Sequence, residues 1–294
     1  MTKLIRLAGK TDFVFSEIQL TLCDSMFPNA SELTVNNSQY IIKNYHSWNT
    51  KDVPDVRTWL EAPDPSTNFV AACDKKTAGT GDWILSHSEY VQWRQSRAGI
   101  LWIQGKVGSG KTILSTTIIK DLQADPALGC YYYYFDNCDN SKTKTTARGL
   151  LQSLLLQMAT SSRSVHPALH AHFTKCKRGQ LEPTTEDLGT TLAAVVKDLN
   201  SAFLVLDAMD ECIEVNNVFK HLAHIKDNLC IAVTSQSLAE TSYDVSGNIH
   251  LDDAQYAFQQ DVHKYLQDQF GQHKIKQELF TEIVDCLTQG AQGQ

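Results

Sequence analysis

The stretch that decides the fold is GILWIQGKVGSGKT, residues 99–112. Its first half, GILWIQ (99–104), is a short apolar run that predicts a buried strand. Its second half fits the pattern G-x-x-x-x-G-K-[ST], and apolar residues recur at helical spacing in the segment that follows. A strand, a glycine-rich loop and a helix in this order are a strong and specific signal for a phosphate-binding loop.

The loop supplies the candidate nucleotide-binding residues, which are Gly105, Lys106, Val107, Gly108, Ser109, Gly110, Lys111 and Thr112. Glycines let the backbone wrap closely around phosphate, so that successive N–H groups point at the anion. The positive end of the following helix dipole adds to this attraction. Lys111 is expected to neutralise β- and γ-phosphate oxygens, and the Thr112 hydroxyl is expected to coordinate Mg²⁺.

A second candidate site follows the apolar run AFLVL (202–206). Asp207 comes directly after this run, at the position from which a carboxylate reaches a magnesium ion near Thr112. Asp210 and Glu211 lie just beyond and are candidates for polarising the attacking water. The alternative for these two acids is a solvated helix start, where carboxylates are favoured by the helix dipole. Which carboxylate would act as the base stays open at this point.

Other segments extend the strand-and-helix alternation. Further apolar runs that predict strands are 128–135, 229–234 and 248–251, and helical spacing of apolar residues separates most of them. Strands of this kind alternating with helices predict a doubly wound α/β fold, with a parallel sheet covered by helices on both faces. Its ligand is expected at the carboxyl ends of the strands. We predict three parts: an irregular segment 1–54, a P-loop domain 55–253 and a partial helical subdomain 254–294.

Composition excludes several classes of protein. The chain has 294 residues and a formal net charge of −7, from 26 Lys plus Arg and 33 Asp plus Glu. Because no long basic stretch offsets this charge, no nucleic-acid partner is expected. No run approaches the roughly 20 apolar residues of a membrane helix, and the N-terminus lacks the apolar core of a signal peptide. The eight cysteines contain no C-x-x-C pair, which favours reduced core thiols in a cytoplasmic protein.

Two local patterns have competing interpretations. His166, His170 and His172 lie close together, but one helix face cannot hold all three, so surface histidines are favoured over a metal site. The tyrosines 131–134 could form a stacking platform for single-stranded nucleic acid. Alternation along a strand sends these rings to opposite faces, so core packing is favoured.

Several segments together resemble a known family, the NACHT class of STAND nucleoside triphosphatases. The similarity is to the fungal branch with a nephrocystin-like N-terminal nucleotide-binding module. The segments that carry the resemblance are 79–93, 99–112, 130–158, 203–212, 231–237 and 261–270. The resemblance implies a regulated switch between ADP-like and ATP-like states, linked in this family to innate-immunity-like signalling.

This sequence departs from the family pattern at two places. The strand ending IAVTS is normally followed by an Arg that senses the γ-phosphate, whereas Gln236 stands here. An amide supplies no full positive charge to the transition state, so we predict weak hydrolysis with nucleotide binding retained. Members of the family also continue into a winged-helix domain and repeats, whereas this sequence stops at residue 294. A truncated gene model, a decoy and a small regulator that pairs with itself or with longer relatives are the alternatives.

The leading hypothesis is a Mg²⁺-dependent module that binds ATP or GTP and hydrolyses it slowly or not at all. In this hypothesis Asp210, Glu211 and Gln236 are the candidate catalytic residues. One alternative is an interaction module that uses bound nucleotide structurally and never turns it over. A phosphotransferase is a weaker alternative, because it needs a basic lid after the sheet and residues 235–253 contain no Arg or Lys.

Overall fold

The computed structural model describes residues 32–36, 39–43, 52–160, 164–199, 202–237, 245–270 and 277–290. Its first elements are two strands, β1 (Glu32–Asn36) and β2 (Gln39–Lys43), which pair antiparallel. This hairpin lies within the segment 1–54 that the sequence predicts to be irregular. The three-part division of the chain itself stays a prediction.

The remaining elements alternate much as the sequence predicts. In chain order they are α1 (Val53–Leu60), α2 (Ser66–Lys75), α3 (Ser88–Gln95), β3 (Gly99–Gln104), α4 (Lys111–Gln123), β4 (Gly129–Tyr134), α5 (Ala147–Ala159), α6 (Pro167–Lys175), α7 (Thr185–Lys197), β5 (Ala202–Asp207), α8 (Val215–Leu222), β6 (Leu229–Ser235), β7 (Gly247–His250), α9 (Gln255–Phe270) and α10 (Gln277–Gly290). Short 3-10 turns lie at Asp82–Ser86, Thr143–Thr145 and Met209–Glu211.

Strands β3 to β7 form one parallel sheet in the order β4-β5-β6-β3-β7. After β3 the chain crosses to β4 and returns strand by strand, and β7 then adds on the other side of β3. The strand order therefore reverses at β3, and a ligand crevice is expected at the carboxyl end of that strand. The loop that begins at Gly105 leaves β3 at this point.

Helices cover both faces of the sheet, and residues of β3 alternate between two cores. Trp102 faces one core, where its ring stacks on Phe219 of α8 with centroids 5.7 Å apart. Ile103 faces the other core together with Ile118 of α4. The doubly wound α/β architecture is thus confirmed.

Helix α1 corrects part of the sequence interpretation. The prolines in this part of the chain predict a turn or linker at 59–65 (WLEAPDP). The first two residues of that segment, Trp59 and Leu60, are instead the last two residues of α1. Val56 and Leu60 are fully buried in the same core as Trp102. Pro54 obscures this pattern, although a proline is tolerated in a first helical turn because the N–H there has no intrahelical partner.

The expectation of surface histidines is wrong for two of the three residues. His166 and His172 are only 6% and 8% exposed. His166 caps α6 by accepting a hydrogen bond from the backbone N–H of Ala168, and the His172 ring bonds to Thr191. Within the described ranges, no three His, Cys, Asp or Glu side chains come together as metal ligands.

The tyrosine run packs as expected, since Tyr133 and Tyr134 are buried in opposite cores. Among the residues that the structure describes, no helix combines the length and the apolar character needed to cross a membrane.

Candidate functional site

The glycine-rich loop leaves β3 under tight steric constraint. The Gly105 N–H donates to the Ser235 carbonyl at 3.1 Å, which ties the loop to the end of β6. A Cβ on Gly105 would lie 2.4 Å from Ser109 Oγ and 2.8 Å from Leu251 Cδ1, so any larger residue there would require these side chains to shift. Gly110 has a φ of 84°, a left-handed conformation that a glycine adopts without strain, and it starts α4.

Lys111 lies at the centre of the loop. Its Nζ donates to the carbonyl oxygens of Gly105 at 2.7 Å and Lys106 at 2.9 Å. Burial lowers the pKa of Lys111, and the carboxylates of Asp210, Asp207 and Glu211, in decreasing order, oppose this effect. The ammonium group is therefore held inside the loop and beside the acidic cluster.

The outer part of the loop is open to solvent. Lys106, Val107 and Gly108 are exposed, with 68% of the Val107 surface accessible. Ser109 Oγ is buried without a hydrogen-bond partner in the described part of the chain. The outer part of the loop is thus accessible to a ligand.

Asp207, the last residue of β5, meets the loop helix through a set of hydroxyl groups. Its Oδ2 accepts a hydrogen bond from Thr112 Oγ1 at 2.8 Å. Its Oδ1 accepts from Ser115 Oγ at 2.6 Å and from Thr234 Oγ1 at 2.7 Å. Burial raises the pKa of this carboxyl, and the three hydroxyl donors act in the opposite direction. Such a group is costly to keep charged unless a cation compensates it.

Ser115 and Thr234 are site residues that sequence reasoning missed. Ser115 lies one helical turn after Lys111, on the same face of α4, and this spacing was the available signal. Nothing local identifies Thr234, because it reaches Asp207 only through the pairing of β5 with β6.

The donors around Asp207 fit Mg²⁺. This ion prefers oxygen ligands and is usually held by one or two carboxylates together with phosphate oxygens and water. The Thr112 hydroxyl and the Asp207 carboxylate form such a partial set, and phosphate would have to complete it. Bound there, Mg²⁺ would supply positive charge that neutralises phosphate oxygens.

Asp210 and Glu211 follow Asp207 in a short turn. Ala208 starts this turn with a φ of 54°, a left-handed conformation. Glu211 Oε2 accepts a hydrogen bond from the backbone N–H of Asn137 at 2.7 Å. Asn137 is the third position that sequence reasoning missed, since the loop after β4 carries no local signal for this contact.

The structure brings Asp210 and Gln236 together. Asp210 Oδ1 accepts from the backbone N–H of Gln236 at 2.9 Å, and Oδ2 accepts from Gln236 Nε2 at 2.8 Å. All the candidate residues therefore lie at the carboxyl ends of β3, β5 and β6. Both Asp210 and Glu211 are already engaged in hydrogen bonds, so the choice of base stays open.

Known families and proteins show similarity to this chain. The sequence model of the family described as Nephrocystin 3, N-terminal, matches residues 79–236. The chain belongs to this family. The vegetative incompatibility protein HET-E-1 of Podospora anserina is 28% identical over 138 residues, which span 45% of this chain and 10% of that protein. The chain therefore matches only about a tenth of the length of this fungal relative.

Solved structures show weaker similarity to this nephrocystin 3 N-terminal module. Cdc6p from Pyrobaculum aerophilum is 11% identical with a TM-score of 0.44, covering 72% of this chain and 55% of that one. A STAND protein with a tetratricopeptide repeat sensor from Pyrococcus horikoshii is 14% identical with a TM-score of 0.38, covering 72% and 28%.

The family match and the fungal relative confirm the resemblance drawn from the sequence. The chain is a nucleotide-binding module of the NACHT/STAND class. Its phosphate loop lies inside the matched residues.

Proposed function

We propose that this module binds ATP or GTP together with Mg²⁺ and acts as the nucleotide switch of a NACHT-type signalling system in the cytoplasm. The observation that supports this most directly is the hydrogen bond between Thr112 and Asp207 at the mouth of the loop. It places a hydroxyl and a buried carboxylate side by side, next to the ammonium group of Lys111. These groups match the needs of a phosphate-bound magnesium ion.

Hydrolysis is proposed to be weak or absent. The position expected to hold a cationic sensor is occupied by Gln236, whose amide is neutral and already paired with Asp210. Glu211 is also engaged, through the Asn137 N–H. The described residues that follow β6, at positions 236 and 237, therefore include no group with a full positive charge. Stabilisation of the negative charge in the transition state of hydrolysis is expected to be poor for this reason.

A second candidate function is an interaction or decoy module that binds nucleotide without turnover and acts on longer NACHT relatives or on a second copy of itself. The engaged state of both Asp210 and Glu211 favours this alternative. Turnover tests this alternative: a slow hydrolysis rate that depends on Glu211 would exclude a module that binds nucleotide and never turns it over.

The first experiment is equilibrium binding of fluorescent ATP and GTP analogues, with and without Mg²⁺, to wild type and Lys111→Ala. We expect the substitution to weaken binding at least tenfold, because it removes the cation that faces the phosphates. Lys120→Ala is the matched control, since Lys120 is an exposed lysine in the same helix. Unchanged binding in Lys111→Ala, or a folded wild type that binds neither analogue, would refute the proposal.

A further inference from the structure

Strand β4 forms one edge of the parallel sheet, and its own sequence gives that edge no protection. Within the described residues β4 pairs with β5 alone. The run GCYYYYF (129–135) contains no charged residue and no proline. An uncharged run of about six residues with high strand propensity is a template for pairing with another chain when it lies on an edge. Since residues 129–132 are all partly exposed, the protection has to come from elsewhere in the fold.

Gln157 of α5 supplies this protection at Tyr132. The Phe135 N–H donates to the Asp207 carbonyl of β5, so alternation along the strand directs the backbone groups of Tyr132 away from β5. Gln157 Nε2 donates to the Tyr132 carbonyl at 2.9 Å, and Gln157 Oε1 accepts from the Tyr132 N–H at 3.2 Å. One side-chain amide thus makes the two hydrogen bonds that a residue of a neighbouring strand would make.

The amide of Gln157 is held in position on the edge. Its Nε2 also donates to Ser153 Oγ at 3.2 Å, one helical turn earlier in α5. An amide nitrogen carries two N–H groups, and the Tyr132 carbonyl and the Ser153 hydroxyl account for both. Helix α5 is itself fixed in the core, where Leu154 and Leu155 are fully buried. Any strand that adds to β4 at Tyr132 therefore has to displace a preorganised group.

We propose that Gln157 blocks the edge of β4 against pairing with β4 of a second copy of this chain. A second copy is the partner that fits this edge, because the uncharged tyrosine run is complementary to itself. A twofold axis would place β4 antiparallel to β4, with no like charges opposite one another. Gln157 occupies the backbone groups in the middle of the run, so pairing requires both of its hydrogen bonds to Tyr132 to be broken in each copy.

The test compares the self-association of wild type, Gln157→Asn and Gln157→Leu by sedimentation velocity of the full chain over a range of concentrations. The asparagine amide is one methylene group too short to reach β4, and leucine has no hydrogen-bonding group. We expect both substitutions to strengthen self-association at least about tenfold, because they leave the Tyr132 backbone groups open to a partner strand. Gln123→Leu is the matched control and should behave as wild type, since it places the same apolar group at an exposed position of α4.

Two further measurements locate the contact. Proline has no N–H, and an edge strand tolerates it where the N–H faces outward. We therefore expect Tyr132→Pro combined with Gln157→Asn to associate no more strongly than wild type, with circular dichroism as the check that it folds. Hydrogen exchange of the Tyr132 amide does not depend on that double variant. In Gln157→Asn this exchange should be slower in the associated protein than in the dilute monomer.

Four outcomes would overturn the proposal. Unchanged self-association in both Gln157 variants refutes it. Association of Gln157→Leu without Gln157→Asn also refutes it, because added apolar surface would then be the cause. Association that persists in the folded double variant, or exchange at Tyr132 that does not slow on association, places the contact elsewhere. None of these measurements requires nucleotide, so their outcome is separate from that of the proposed function.

Discussion

At the residue scale, Asp207 shows how a functional carboxylate is held in an environment that opposes its charge. It is only 3% exposed, and three hydroxyl groups donate to it. Burial raises its pKa, so the ionised form costs free energy in the nucleotide-free protein. A carboxyl whose pKa is higher in the folded state contributes less stability as pH rises through that pKa. The site is thus prepared for a cation at some cost to stability.

We predict that Asp207→Asn abolishes the strengthening of nucleotide binding by Mg²⁺. The free energy of unfolding of the nucleotide-free variant is expected to stay within about 1 kcal/mol of wild type or to rise, because the substitution removes a buried charge. The hydroxyl groups that donate to Asp207 can rotate and accept hydrogen bonds from the asparagine amide. Titration with and without Mg²⁺, followed by denaturant unfolding, measures both quantities. Asp55→Asn removes an exposed carboxylate and is the control. Retained Mg²⁺ dependence in Asp207→Asn would contradict the assignment.

At the scale of elements, α7 is held by two buried histidines from its neighbours. His172 of α6 bonds to Thr191 through Nδ1 at 2.8 Å. The His221 ring of α8 lies so close to Gly189 that a Cβ there would be 2.2 Å from Nδ1. Burial lowers the pKa of both histidines. The contacts among α6, α7 and α8 are therefore made with the neutral rings.

This arrangement predicts acid sensitivity. Because both histidines have a lower pKa in the folded state, the unfolded chain binds more protons below its ordinary histidine pKa of about 6.5. Stability is therefore expected to fall as pH drops below that value, by at most about 1.4 kcal/mol per pH unit for each histidine. Denaturant unfolding of wild type and His221→Gln between pH 5 and 8 measures the slope. The slope should decrease in His221→Gln and persist in His224→Gln, whose ring is exposed. Equal slopes in all three proteins would be evidence against buried neutral histidines.

At the scale of the whole molecule, the folded core extends beyond the family match. The match begins at residue 79, yet α1 at Val53–Leu60 buries its apolar face in the core around Trp102. Trp59 Nε1 donates to the Leu181 carbonyl at 2.9 Å, and its ring lies edge-on to Phe173. Arg178 and His170 bind the Asp52 carboxylate at the start of α1. Helix α1 is therefore an integral part of the nucleotide-binding unit.

We predict that Leu60→Ala lowers the free energy of unfolding by about 2–5 kcal/mol, because it opens a cavity at a fully buried position. Val70→Ala is the control, since this apolar side chain of the next helix is 54% exposed. Its cost should stay within about 0.5 kcal/mol. Urea unfolding of the whole chain compares the two variants. Similar small costs for both would show that α1 is dispensable for stability.

The sequence alone determined the sheet strands, the phosphate loop and the acidic residue that follows β5. These features depend on local rules: apolar runs bounded by turns, glycine positions within eight residues, and a carboxylate at a strand end. Helix α1 was obscured because Pro54 is usually a signal against helix, although at a first turn it is tolerated. The two buried histidines were assigned to the surface because the polarity of a side chain does not show whether the fold supplies a buried hydrogen-bond partner such as Thr191.

Only the tertiary structure decided how the ends of the strands combine. Thr234 reaches Asp207, and Gln236 reaches Asp210, because β6 lies between β5 and β3 in the sheet. Asn137 reaches Glu211 because β4 is the neighbour of β5. Such contacts join residues that are far apart in the chain, and strand order is set by the packing of helices on both faces rather than by any local pattern. The sequence therefore determined which residues are candidates for binding phosphate and metal, and the fold decided which of the site residues form hydrogen bonds with one another.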